Sequence, residues 1–284
     1  MQQKHRDEDQ KKQGVEENSR DQESSREHIE EDAETVIEEA RQEVEVARRP
    51  WYQSVKWGRI LLIVYALLIS LFALLAWWVY IHPVLGIDVT ITREFQEDQS
   101  PWLRNTMIAV SYIGNVLALS TGLIVLATVL LWIVDLRLEA IMVVVLSATS
   151  GLLNWLIKLI VARPRPSASL VEILQHASGM SFPSGHVMSY IAFWGLLFSL
   201  GIILFKGNYW WRTTLLIISA LFVVLVGPSR VYLGDHWASD VLGAYLIGGV
   251  LLGVALWIYL YLKGKGVLAP RGKRAGSFLY KYLK

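Results

Sequence analysis

The chain has 284 residues, 54 % of them hydrophobic and only 18 % charged, with 12 Trp and no Cys. An ordinary soluble domain carries about 25 % charged side chains, so this composition excludes one, and the missing Cys excludes a disulfide framework, a thiolate metal site and a cysteine nucleophile. The net charge of +2 conceals a division: residues 1–50 hold 9 basic and 16 acidic side chains (net −7), and residues 51–284 hold 18 and 9 (net +9).

Residues 1–50 contain no aromatic side chain and are rich in Glu, Gln, Asp and Arg. Such a segment cannot bury enough apolar area to offset its ordering entropy, which predicts an acidic cytoplasmic extension that is disordered or marginally helical. Within it Ile29, Ala33, Val36, Ile37, Ala40 and Val44 recur at helical spacing. A solvated helix, or a docking element for a cytoplasmic partner, is therefore expected over roughly residues 29–49. No cleaved signal peptide is expected, because the first long apolar run starts near Arg59 and exceeds the length of a secretory core.

Residues 51–284 are expected to form one transmembrane domain. Apolar runs of 18 or more residues read as spanning helices, since about 20 residues at 1.5 Å rise cross a ~30 Å hydrocarbon core. Six occur, at about 59–81, 107–134, 139–161, 187–205, 213–230 and 240–262. The predicted fold class is all-α, a polytopic membrane protein with six transmembrane helices. Residues 82–105 are too hydrophilic to span and are expected to lie along the surface. With the N-terminus cytoplasmic, fifteen Lys and Arg fall on inner flanks and six on the outer side, Arg93, Arg104, Lys158, Arg163, Arg165 and Arg230. Both termini are therefore expected inside. Trp51, Tyr52 and Trp57, and again Tyr209, Trp210 and Trp211, are placed like interfacial anchors.

The outer ionisable residues carry the chemistry. Alternation of six spans brings the end of the third, the start of the fourth, the end of the fifth and the start of the sixth to one face. That gathers Lys158 and Arg165, Ser184-Gly185-His186, Arg230, and His236 with Asp240. Cationic side chains, Arg above all, match phosphate oxygens. Ser184 and Gly185 at a helix start offer a hydroxyl and free N–H groups to an anion. His236 and Asp240 are four apart on one helical face, so the carboxylate can hold one ring nitrogen as N–H and leave the other as nucleophile. His186 is then free for acid–base work. A lone Lys near a helix end ordinarily snorkels, and Arg163 reads as a helix flank, ranked below Arg165. His82 and His176 read as surface or interface residues. Ionisable groups converging at membrane depth instead default to function.

These segments are K-x6-R-P (Lys158 to Arg165-Pro166), P-S-G-H (Pro183 to His186) and S-R-x5-H-x3-D (Ser229-Arg230, His236, Asp240). In order and with intact spacing they resemble the signature of the type 2 phosphatidic acid phosphatase family over roughly residues 59–262. The resemblance implies a metal-independent phosphohydrolase that needs no cofactor. It implies that His236 attacks phosphorus to give a phosphohistidine, that Asp240 orients it, and that His186 protonates the leaving oxygen and later activates water. Lys158, Arg165, Ser184, Gly185 and Arg230 would bind the phosphate oxygens. The expected partners are a lipid phosphate and the membrane, with no nucleic acid. Three alternatives stay open: a metal hydrolase using His186, His236 and Asp240 as ligands, a non-catalytic transporter, and a phosphotransferase on the same site. An outward-facing site in a bacterial cell suits undecaprenyl pyrophosphate, with phosphatidylglycerophosphate and phosphatidic acid as competitors.

Overall fold

A computed structural model of the protein describes residues 55–205 and 209–268. The acidic extension, and with it the expected helix at 29–49, lies outside these residues. The regular structure of the described residues is helical, without strands, and residues 162–184 form a long non-helical connection. The helices are α1 (Val55–Ile81), α2 (Gly86–Glu97), α3 (Pro101–Asn115), α4 (Leu117–Ile133), α5 (Arg137–Val161), α6 (Gly185–Tyr190), α7 (Leu196–Leu204), α8 (Trp210–Tyr232) and α9 (Ala238–Gly264). A π-helical turn, Ile191–Gly195, joins α6 to α7 as one continuous helix. The described part of Met1–Ile63 is only the opening of α1, and Val64 onward forms a separate compact unit that contains the core and the site.

Among the described residues five helices are long and apolar enough to cross a membrane, and a sixth span results when α3 and α4 are taken together. The expected spans match within a few residues except the second. Its continuous apolar run 107–134 is broken at Val116, where α3 and α4 meet at 70°. The cause is tertiary. The last turn of α3 is tied to α6 and α8, while α4 leaves to pack on α5.

The α6–α7 helix lies at the centre of this unit, and 61 % of its apolar window is buried, against 33 % for α5, α8 and α9. Leu196, Leu200 and Phe193 pack with Val143, Leu146 and Tyr259 at one end. Val187, Met188 and Ile191 pack with Val226, Val231 and Ala244 at the other. Where α9 passes Phe182 the contact demands Gly243, since a Cβ there would meet the Phe182 ring at 2.6 Å. At the end of the bundle away from the motif residues, buried Glu139 accepts from the Tyr259 hydroxyl (2.7 Å) and Lys263 Nζ (2.8 Å), pinning the start of α5 to the end of α9.

The hydrophilic segment 82–105 is not a loop. Its helix α2 buries a polar stripe, Asp88, Thr92 and Gln96, spaced four residues apart. Ile87 and Phe95 face outward, 66 % and 43 % exposed. The buried polar stripe meets loops and helix ends with free backbone polar atoms, while the outer face is mixed, with Arg93, Glu94 and Glu97 exposed beside Ile87 and Phe95. Gln96 donates to the carbonyls of Glu172 and Tyr232 (2.8 and 2.9 Å), and Arg93 donates to that of Leu170 (2.9 Å).

Candidate active site

Three helix junctions build the site. α5 ends at Ala162, a left-handed cap (φ 48°), and the chain runs on through Arg163-Pro164-Arg165-Pro166 without helix. The return segment is fastened by Ser181 N–H donating to Arg163 O (2.8 Å), and Ser184 occupies the N-cap position of α6 without a side-chain cap bond. α8 ends after Arg230, and Gly234 turns the chain at φ 73° beside the Glu172 carbonyl, where a Cβ would collide. Asp235 and His236 follow, before α9 starts at Ala238. Ser184 N–H donates to Asp240 O (3.2 Å), so the openings of α6 and α9 are held together.

His236 is buried, with Nδ1 3.5 Å from Asp240 Oδ2 and 3.4 Å from Ser181 Oγ. The Ser181 hydroxyl spends its only proton on Asp240 Oδ2. Its lone pairs therefore face Nδ1, which fits Nδ1 as the N–H and Nε2 as the lone pair. Burial pushes the His236 imidazole down to about 3, against the opposing pull of Asp240, so the ring is neutral at pH 7. Nε2 lies 3.3 Å from Arg165 Nη1. Asp240 is fixed on all sides: Oδ1 accepts from Arg163 Nη1 (2.6 Å), and Oδ2 accepts from Trp237 N–H (2.9 Å) as well as Ser181.

The cations divide by role. Arg165, half-buried, donates to Gly179 O (3.1 Å) and Asp235 O (2.8 Å). Lys158 donates to the Met180 and Ser181 carbonyls. Arg230 is buried and paired with Asp235. All three motifs converge: Arg165 of the first stands on His236 of the third, and Ser184 of the second donates its N–H to Asp240 O. Ser184 Oγ, His186 Nε2 and Arg230 Nε are buried without hydrogen-bond partners among the described residues. Buried polar groups are normally paired, and these three unpaired atoms belong to three of the residues expected from the sequence to meet the anion. Gly185 stands against Asn154, whose Nδ2 donates to Pro183 O (3.1 Å).

Arg163 is no mere helix flank. It is 1 % exposed and donates to Pro83 O, Ser239 Oγ, Asp240 and Asp88 at 2.6–2.8 Å. Its guanidinium also lies over the Trp237 ring, 5.9 Å from the centroid. Asp88 in turn accepts from Ser239 N–H (2.9 Å) and Ser239 Oγ (2.6 Å). A buried carboxylate–guanidinium–carboxylate row thus runs Asp88, Arg163, Asp240. Sequence reasoning missed Asp88 and Ser181, and it undervalued Arg163. The polar stripe at Asp88, Thr92 and Gln96 was the available signal; Ser181 carries none. His82 and His176 are exposed, His82 with its ring edge on Trp78. Among the described residues no group of three His, Asp or Glu is arranged to hold a metal ion.

The PAP2 superfamily model matches residues 139–263. The phosphatidylglycerophosphatase B of Bacillus subtilis (strain 168) is 31 % identical over 183 residues, 63 % of this chain and 87 % of that protein. The Escherichia coli (strain K12) protein of the same name is 40 % identical over 86 residues, 30 % of this chain and 31 % of that one. Undecaprenyl-diphosphatase BcrC of B. subtilis (strain 168) is 28 % identical over 120 residues, 42 % and 53 % of the two chains. The crystal structure of a transmembrane PAP2 type phosphatidylglycerolphosphate phosphatase from B. subtilis superposes with a TM-score of 0.60. It is 27 % identical and covers 70 % of this chain and 96 % of its own. By these similarities the chain belongs to the PAP2 superfamily and is a multi-pass membrane lipid phosphate phosphatase.

Proposed function

We propose that the protein removes the terminal phosphate of a membrane lipid through a phosphohistidine on His236. The observation that carries this reading is the buried imidazole whose Nδ1 is held by Asp240 and Ser181 and whose Nε2 faces the Arg165 guanidinium. In the first step Nε2 forms a bond to phosphorus and the bond from phosphorus to the lipid oxygen breaks, while protonated His186 gives that oxygen its proton. In the second step water attacks phosphorus, His186 takes the water's proton, and the P–N bond breaks to release inorganic phosphate. Asp240 stabilises the charge that the phosphorylated ring acquires. Lys158, Arg165 and Arg230, with the Ser184 hydroxyl and Gly185 N–H, stabilise the equatorial oxygens; charge placement of this kind is most of what phosphoryl transfer needs.

The excess of inner-flank Lys and Arg supports both termini in the cytoplasm and this site on the extracytoplasmic face. Residues 1–50 then form a cytoplasmic extension to the membrane domain 51–284, with 29–49 available to a cytoplasmic partner. A relative matched over 87 % of its length is named for phosphatidylglycerophosphate, which supports that substrate, and one matched over 76 % of its length is named as a putative undecaprenyl-diphosphatase. Undecaprenyl pyrophosphate stands second, supported by the shorter match to BcrC; phosphatidic acid stands third.

Phosphate release from these three lipids by purified full-length protein in detergent, with strong chelator present, tests the reading. Activity is expected to persist with chelator, and a preference of about tenfold in kcat/KM assigns the substrate. Loss of all three activities on chelation, with recovery on adding a divalent cation, would overturn the mechanism.

A further inference from the structure

The bend of the second span falls at the site, and the three motifs do not account for it. Ser111 and Asn115 are one turn apart on the last turns of α3, and both accept from Arg230 Nη1, Asn115 Oδ1 at 3.3 Å. Asn115 Nδ2 also reaches Ser111 Oγ (3.5 Å). The same turn is fastened to the His186 helix: Gly114 N–H donates to the Tyr190 hydroxyl (3.2 Å), which donates to Val110 O (2.5 Å). Gly114 itself stands against His186, and a Cβ there would strike the imidazole. α3 stops at Asn115 because the chain turns by 70° at Val116, so the negative end of its dipole is presented to the guanidinium.

The three nitrogens of Arg230 are thereby divided. Ser111 and Asn115 take Nη1, Asp235 takes Nη2, and Nε is buried with no partner among the described residues. We propose that the last turn of α3 is a fourth segment of the phosphate site, in which Ser111 and Asn115 are positioning residues that hold Arg230 so that Nε meets the anion, and Gly114 leaves His186 its room. This segment lies before residue 139, where the family match begins. The proposal rests on Arg230 binding phosphate, as set out above.

A double-mutant cycle separates the two claims. In full-length protein, Asn115→Ala and Ser111→Ala are combined with Arg230→Ala, and kcat/KM and inhibition by inorganic phosphate are measured beside thermal unfolding. Asn115 is exposed, so its variants are expected to unfold where the parent does. Asn115→Ala should weaken phosphate inhibition and lower kcat/KM by about tenfold, the scale of a hydrogen bond to a charged group. The change should vanish in the Arg230→Ala background, and Asn115→Gln should restore part of the loss. An equal loss with and without Arg230 would overturn the positioning role while leaving Arg230 as a phosphate ligand. Unchanged phosphate inhibition in Arg230→Ala itself would overturn the reading on which it rests.

Discussion

Replacing His236 by alanine should reduce phosphate release by about 10⁴-fold or more, because the phosphorus then has no covalent acceptor. The fold should survive. Asp240 keeps its bonds from Arg163, Ser181 and Trp237 N–H, and the removed ring is neutral. His186→Ala should be nearly as damaging with a lipid alkoxide leaving group, a loss of about 10²–10⁴-fold for a missing acid–base catalyst. With an aryl phosphate, whose leaving oxygen needs no proton, the loss on the first step should shrink to within about tenfold. Steady-state phosphate release and single-turnover phenolate release, measured beside thermal unfolding, check both statements. Near-normal turnover in either histidine variant with the lipid substrate would sink the mechanism.

The second large effect is expected far from any motif. Asp88→Ala removes one end of the row that fixes Asp240 and leaves the buried Arg163 with half its compensation. Removing one partner of a buried pair costs about 3–5 kcal/mol, and the Ser239 N–H loses its acceptor as well. Thermal unfolding in detergent should fall sharply. Asp88→Asn, which keeps the volume and one acceptor, should fold better yet lower kcat, since Asp240 is then less firmly aimed at His236. The pair of measurements distinguishes support of the site from mere filling. A fully active Asp88→Ala of parental stability would show that Arg163 and Asp240 need no third partner.

The two predictions differ in how far the sequence announces them. His236, Asp240, His186 and Arg230 stand at fixed spacings because a helix end can present them only in that order, and spacing is visible in a string of letters. Lys158 and Arg165 are legible for the same reason. Asp88 is not: it sits in a polar stretch whose one distinguishing mark is a four-residue period of polar groups, and only the packing of α2 on α8 and α9 reveals which face is buried. Arg163 looked like a flank because local sequence cannot tell a solvated guanidinium from one enclosed by two carboxylates. The spans were legible from continuous apolar runs, since lipid demands length and hydropathy alone. The bend at Val116 was invisible for the complementary reason. Hydropathy is unbroken there, and the forces that turn the chain are contacts of Ser111, Gly114 and Asn115 with residues some 75–120 positions later.

The central claim is a covalent phosphate on His236, and trapping it is the direct test. His186→Ala protein is mixed with a 32P-labelled aryl phosphate, which can phosphorylate the nucleophile without the acid yet lacks the base for the second step. After an alkaline quench, under which a phosphoramidate survives, the peptide bearing the label is sequenced. The mechanism predicts an acid-labile label on His236, up to one per chain, and none in the His236→Ala, His186→Ala double variant. Turnover of the parent enzyme with no label on His236, or label on another residue, would contradict it.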